Sequence, residues 1–209
     1  MNLMHGPQFA KKYVTEYLRD DIPRRMLQYR NGWGLDDMEL PTPEKFLDYE
    51  PYALDVWPLV ITIVISTGKM ERIGFDGADP LYRVEYQMRT YVWARSLGSE
   101  EVTFMRDRLT TILRSALLDY PCLQAYDARK SFRAMIDEST LREEFSEVTL
   151  LKGDRNLAGA YISYSLQIDE VVARADIGVV EEIQVETRSG GVDEPIPFGP
   201  DADEPDPHA

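Results

Sequence analysis

Few residues in this 209-residue chain stand at the spacings that catalysis or metal binding uses. His5 and His208 lie near opposite ends with no second histidine at ligand spacing, so they read as surface residues. The acid pairs Asp36-Asp37, Glu143-Glu144 and Glu181-Glu182 are adjacent in sequence. Adjacent side chains point different ways on any regular element, so a solvated face fits them better than a general acid with its base. Lys152-Gly153-Asp154-Arg155-Asn156 has the composition of a hairpin turn and lacks the spacing of a phosphate-binding loop. Ser96 and Ser99 have no histidine nearby in sequence, and no nucleophile-elbow pattern occurs. Cys122 follows Pro121, has no basic neighbour and reads as an inert, part-buried thiol. No catalytic residue, cofactor site or metal site is therefore assigned, and the chain is expected not to be an enzyme.

The chemistry that does stand out is that of recognition. From Tyr82 to Ala94 the even positions read Tyr82, Val84, Tyr86, Met88, Thr90, Val92 and Ala94, and the odd ones Arg83, Glu85, Gln87, Arg89, Tyr91 and Trp93. Period two with a distinct chemistry on each side describes a strand whose even residues enter a core. The odd face, continued by Arg95, mixes aromatics with arginine, a combination enriched where proteins meet. Arg83, Glu85, Arg89, Tyr91, Trp93 and Arg95 are assigned on this basis to a subunit or partner interface. The plainer alternative is that another part of the same chain, such as the 35–56 segment, covers them.

Other elements must position this strand. After Leu97-Gly98, Ser99 serves as an N-cap, Glu100 and Glu101 suit the positive end of a helix dipole, and Val102, Met105, Leu109, Ile112, Leu113, Ala116 and Leu117 form one stripe ending before Pro121. A helix joined so tightly to the strand covers its even face. Near the N-terminus, Phe9, Ala10, Tyr13, Val14, Tyr17, Leu18 and Ile22 recur at helical spacing, Pro23 ends or kinks that helix, and Asn31-Gly32-Trp33-Gly34 breaks it. Residues 30–56 read as a long irregular loop, with Pro41, Pro43 and Pro51. Leu59–Ser66, almost wholly apolar and β-branched, reads as a strand buried on both faces and central in its sheet, paired with the 82–94 strand. The 67–80 connection is longer than a tight hairpin needs and is expected to project as an arm. A helical turn capped by Ser139, a short strand at 148–151, a second long alternating strand at 158–172 and an edge strand at 179–187 complete the pattern. The expected fold is α+β: a mixed, mostly antiparallel sheet covered by an N-terminal and a central helix, in a single domain over residues 1–175.

Charge divides the chain differently. Residues 176–209 hold ten acids and one base, a balance of −9 out of −14. That proline-rich, acidic extension should be disordered unless it lies against a neighbour. No basic stripe marks a nucleic-acid reader. One cysteine excludes an intrachain disulfide, and the longest apolar run, Trp57–Ile65, is about half a membrane span. A soluble protein made in a reducing compartment, without a membrane partner, is expected.

In this order of elements the chain resembles the tail-terminator, or tail-completion, proteins of long-tailed phages. The shared outline is an N-terminal helix, an irregular segment and a buried strand entered through a proline (Trp57-Pro58-Leu59-Val60-Ile61-Thr62-Ile63). A long strand (Tyr82–Trp93), a helix (Glu100–Leu118) closing on Tyr120-Pro121-Cys122-Leu123, and a final strand (Gly159–Ile168) follow. The likeness covers roughly residues 8–172 and is one of pattern, without a diagnostic motif. It implies a hexameric ring in the virion that ends the tail tube and joins it to the head–neck complex, with DNA passing through unread and no catalytic residues. The partners implied are further copies of the chain, the tail tube protein and the connector proteins. The 30–56 segment and everything after Val172 depart from the smaller members. The alternatives are a head-completion or neck adaptor that binds the portal, a small metal-dependent hydrolase, and a generic binding module.

Overall fold

In a computed structural model, the described residues are 6–53, 55–119, 134–151 and 155–172. His5, Cys122, the first three residues of the 152–156 turn, the 179–187 strand, the acidic extension and His208 lie outside them, while Arg155 and Asn156 of that turn open the last described strand. Among the described residues, helix α1 (Pro7–Trp33) is followed by strands β1 (Lys45–Leu47), β2 (Leu59–Asp76) and β3 (Asp79–Ser96). Helix α2 (Ser99–Asp119) and strands β4 (Ala134–Phe145), β5 (Thr149–Leu151) and β6 (Arg155–Val171) complete the order. The sheet runs β1-β2-β3-β6-β4, with β5 also on β6. Among the described strands only β1 and β2 are parallel; the other pairings are antiparallel. This is the expected α+β arrangement, a mostly antiparallel mixed sheet with an N-terminal and a central helix.

Alternation decides which face of the sheet is the core. The even residues of β3 from Val84 to Ala94 are buried, as are Ala160, Ile162, Tyr164, Leu166 and Ile168 of β6. They join the apolar stripes of α1 and α2 in one cluster, so both helices lie on the same side of the sheet. Inside this layer a short hydroxyl chain crosses three strands. Thr62 Oγ1 lies 3.3 Å from Thr90 Oγ1, which lies 3.0 Å from the Tyr164 hydroxyl. Burial pushes the Tyr164 pKa above the ordinary tyrosine range, and the smaller opposing pull of Thr90 does not restore it. An unfolded chain loses this proton near pH 10 while the folded one keeps it, so the stabilisation is whole below that pH and drains away above it. Stability is expected to fall by about 1.4 kcal/mol per pH unit more steeply in the wild type than in Tyr164→Phe. Urea midpoints measured between about pH 9 and 11 check the slope, and equal slopes would show that the hydroxyl ionises freely.

Several expectations need correction. Pro23 does not end α1, which continues through Pro23 to Trp33. Its ring lies on the exposed side of the helix, where the carbonyl left without an amide faces water, while Ile22 and Met26 hold both halves to the core. The stop comes, as expected, in the Asn31-Gly32-Trp33-Gly34 break: the left-handed conformation of Gly34 (φ 66°) lets its amide bond back to the Arg30 carbonyl. Helix α2 takes in Ser99 itself instead of starting after it.

Residues 139–145 form the outer half of β4 instead of a helical turn. Asp137 accepts bonds from the Ser139 amide (3.0 Å) and hydroxyl (2.6 Å), and the Thr140 hydroxyl donates to the Asp137 carbonyl. The polar cluster that resembles a cap thus stabilises a break in register between Asp137 and Arg142. The irregular segment after α1 contains β1, and it is pinned from the helix. Arg30 donates twice to the Leu40 carbonyl, at 2.6 and 2.8 Å, and once to Thr42. Leu40 itself is fully buried.

The arm is also more regular than expected. Strands β2 and β3 continue past the body and close in a two-residue turn at Gly77-Ala78, where Gly77 has φ 62°. Strand β2 is buried only from Leu59 to Ile63 and has β1 on its outer side only at Leu59–Ile61. It is a central strand at its start and, among the described residues, an edge strand for the rest of its length.

Candidate subunit interface

The six assigned residues all occupy the odd face of β3, opposite the helices, with cross-strand neighbours fixed by register. Over the twelve steps from Arg83 to Arg95 they form a strip roughly 40 Å long. None is fully buried and none is fully exposed. The strip has two halves of different chemistry.

The half nearer the arm is polar. Arg83 faces Asp169 of β6 and donates to both carboxylate oxygens, at 2.8 and 3.1 Å. Hydrogen bonding to Asp169 raises the Arg83 pKa beyond its ordinary value. Glu85 accepts from the Ser165 hydroxyl (3.0 Å) and the Gln87 amide (2.9 Å), and Gln87 also donates to Ser165 (2.6 Å). These groups satisfy one another within the sheet.

The half nearer α2 is aromatic. The Arg89 guanidinium lies 4.2 Å from the ring centre of Tyr161 and donates to the Tyr91 hydroxyl (3.1 Å). The Tyr91 and Tyr161 rings are 5.3 Å apart and tilted by 52°. A hydrogen bond to Glu144, opposite it on β4, raises the Tyr161 pKa. Trp93 lies across Gly159: a methyl group built there would come within 2.6 Å of the indole. Arg95 stacks on Trp57 with its guanidinium 5.5 Å from the ring. Beneath these groups, Leu59, Ile61 and Ile63 of β2 form a second, smaller apolar cluster with Leu47, Trp57, Tyr91 and Trp93 packed on it. Two shielded donors here, Arg89 Nε–H and the Trp57 indole N–H, find no acceptor among the described residues.

The structure therefore brings Arg89, Tyr91, Trp93 and Arg95 together and leaves Arg83 and Glu85 in a separate polar group. The 35–56 segment covers the aromatic half in part through Leu47, Trp57 just beyond it adds to the cover, and Tyr91 and Trp93 stay partly open. Sequence reasoning passed over Tyr161, Trp57 and Gly159. Their signals were a tyrosine among serines in the alternating 158–172 run, a tryptophan just before a proline, and a glycine inside a strand.

Among the described residues, no group of three or more His, Cys, Asp or Glu side chains is arranged to hold a metal ion, and no helix is long and apolar enough to cross a membrane. Compared with known proteins, the chain matches no family model and no curated sequence.

Proposed function

We propose that this chain is a structural virion protein of the tail-terminator type. Six copies close into a ring that ends the tail tube and joins it to the head–neck complex, and the genome passes through the lumen without being read. On this reading the protein is assembled in the host cytoplasm, resides in the tail or neck of the virion, and uses neither catalysis nor a cofactor. One observation carries the proposal: the odd face of β3 presents half-open tyrosine, tryptophan and arginine side chains over an apolar base, on the side of the sheet away from both helices. Such a surface has the anchors of an interface, large rings and guanidinium groups, already held in place by their own sheet. The next subunit supplies the cover in a heterologous contact that closes on itself.

Native mass measurement of the purified protein tests the ring, with a six-subunit species expected. A protein that stays monomeric at assembly concentrations sinks the proposal. Deleting the gene tests the place in the virion: overlong tails are expected, whereas full-length tails on heads that leak DNA would assign the chain to the head side of the neck. Trp93→Ala is expected to leave the subunit folded while weakening assembly about tenfold to thirtyfold, near 2 kcal/mol, as loss of an interface anchor does. If the variant unfolds or assembles normally, the odd face is not the contact.

A further inference from the structure

The arm formed by the far ends of β2 and β3 carries an apolar group that the other described residues leave uncovered. Met70 and Phe75 are 54% and 56% exposed, and the Arg72 guanidinium lies 5.4 Å over the Phe75 ring. In the ladder Met70, Arg72 and Phe75 pair with Val84, Tyr82 and Pro80, even positions of β3, so all three stand on the face that the helices cover farther down. The outer edge of β2 is a poor template for adding a strand. Its ladder is interrupted three times, between Val64 and Ser66, Thr67 and Met70, and Arg72 and Gly74, and such irregularities disfavour continuous pairing. The arm is suited to docking by side chains.

A cleft of complementary chemistry lies at the opposite end of β3. It has a volume of about 400 Å³ and is lined by Met38 from the loop after α1, by Phe104 and Met105 of α2, and by the charged groups of Glu39, Glu101 and Arg108, the last 5.8 Å over the Phe104 ring. Met38 is 86% and Phe104 49% exposed. Glu101 is held in place by the Ser96 hydroxyl at 2.6 Å. With two carboxylates against the one guanidinium of Arg108, the cleft keeps a net negative charge, which suits an aromatic ring capped by a guanidinium.

Phe75 and the cleft cannot meet within one molecule. Pro80, opposite Phe75, and Ser96, on the cleft wall, are sixteen residues apart along one strand, roughly 50 Å. A surface and its complement at opposite ends of one subunit produce head-to-tail association. We infer that Phe75 and Arg72 of one copy seat in the Met38–Glu101–Phe104 cleft of the next. This rests on the ring reading and names a contact within it.

Crosslinking with a short bismaleimide tests the contact, using a chain that carries both Met38→Cys and Phe75→Cys in a Cys122→Ser background. A ladder extending to six covalently joined chains is expected, while each single-cysteine variant, with no cysteine facing its own across the contact, stays a single chain. Arg72→Glu is expected to weaken assembly at least tenfold, and Glu101→Arg in the same chain to restore it. Six-subunit particles without the ladder overturn the arm contact and leave the ring standing. Absence of both six-subunit particles and ladder overturns both. A ladder that runs on without closing at six supports the arm contact and overturns the ring.

Discussion

Arg25→Ala is expected to lower the unfolding free energy by about 3–5 kcal/mol, the range seen when one partner of a buried ion pair is removed. Arg25 is buried between the two helices, paired with Asp21 one turn back on α1 and donating to Ser115 (3.1 Å) and Asp119 (2.8 Å) of α2. Burial alone would pull its pKa down, but the hydrogen bonds to Asp21 and Asp119 outweigh that and leave it raised. Asp119 is largely exposed and tolerates the loss. Asp21 is buried, and its remaining cation, Arg24, stands at 3.8 Å on a largely solvated side chain. The cost therefore falls on a stranded carboxylate. Joint replacement as Asp21→Leu with Arg25→Met is expected to recover most of the loss, because an apolar pair of similar volume fills the same space. Urea denaturation of the two variants decides it. A single variant within about 1 kcal/mol of wild type would show that water reaches Asp21.

Gly159→Val is expected to cost about 3 kcal/mol, the upper end of what overpacking takes. The reason is steric, since the backbone of Gly159 lies in a regular antiparallel ladder opposite Trp93. Any added carbon meets the indole atoms at 2.6 to 2.9 Å. The ring rests among Leu59, Ile61 and Ile63 and has little freedom to lift away. Adding Trp93→Ala to Gly159→Val should therefore make the protein more stable than Gly159→Val alone, with a coupling of at least about 1 kcal/mol in a double-mutant cycle. Simple additivity of the two losses would mean that Trp93 does not lie across Gly159. The cycle is read on the isolated subunit, so it tests the packing of the odd face independently of assembly.

What the sequence made legible was local and periodic. The 82–94 and 158–172 strands and the stripes of both helices follow from side-chain spacing within a single element, where period and burial agree. The arm was less legible, because three irregularities between Val64 and Gly74 destroy the alternation that marks a strand. The polar residues at 137–140 resemble a helix cap, since the same short side-chain bonds stabilise a break in a strand. At the candidate interface, alternation placed Arg83 to Arg95 on one face, but it could not give their neighbours. Trp93 on Gly159, Arg89 on Tyr161 and Arg95 on Trp57 are pairings between distant segments, set by the register of β3 against β6 and by the path into β2. A sequence read without register cannot show that a glycine and a tryptophan 66 positions apart share one site.

The place of β6 bears on how the chain is made. It is the last of the described strands to be synthesised, yet it lies between β3 and β4, and its Glu170 accepts a bond from the amide of Gly6, at the very start of α1. A nascent chain halted before Arg155 would have every helix stripe but nothing to join the two halves of its sheet. The domain thus reaches its final form only once β6 has been made, with its contacts weighted towards distant partners and its folding correspondingly slow. Incomplete copies lack the strand that holds Tyr161 and Gly159, and so cannot present a finished docking face to complete ones.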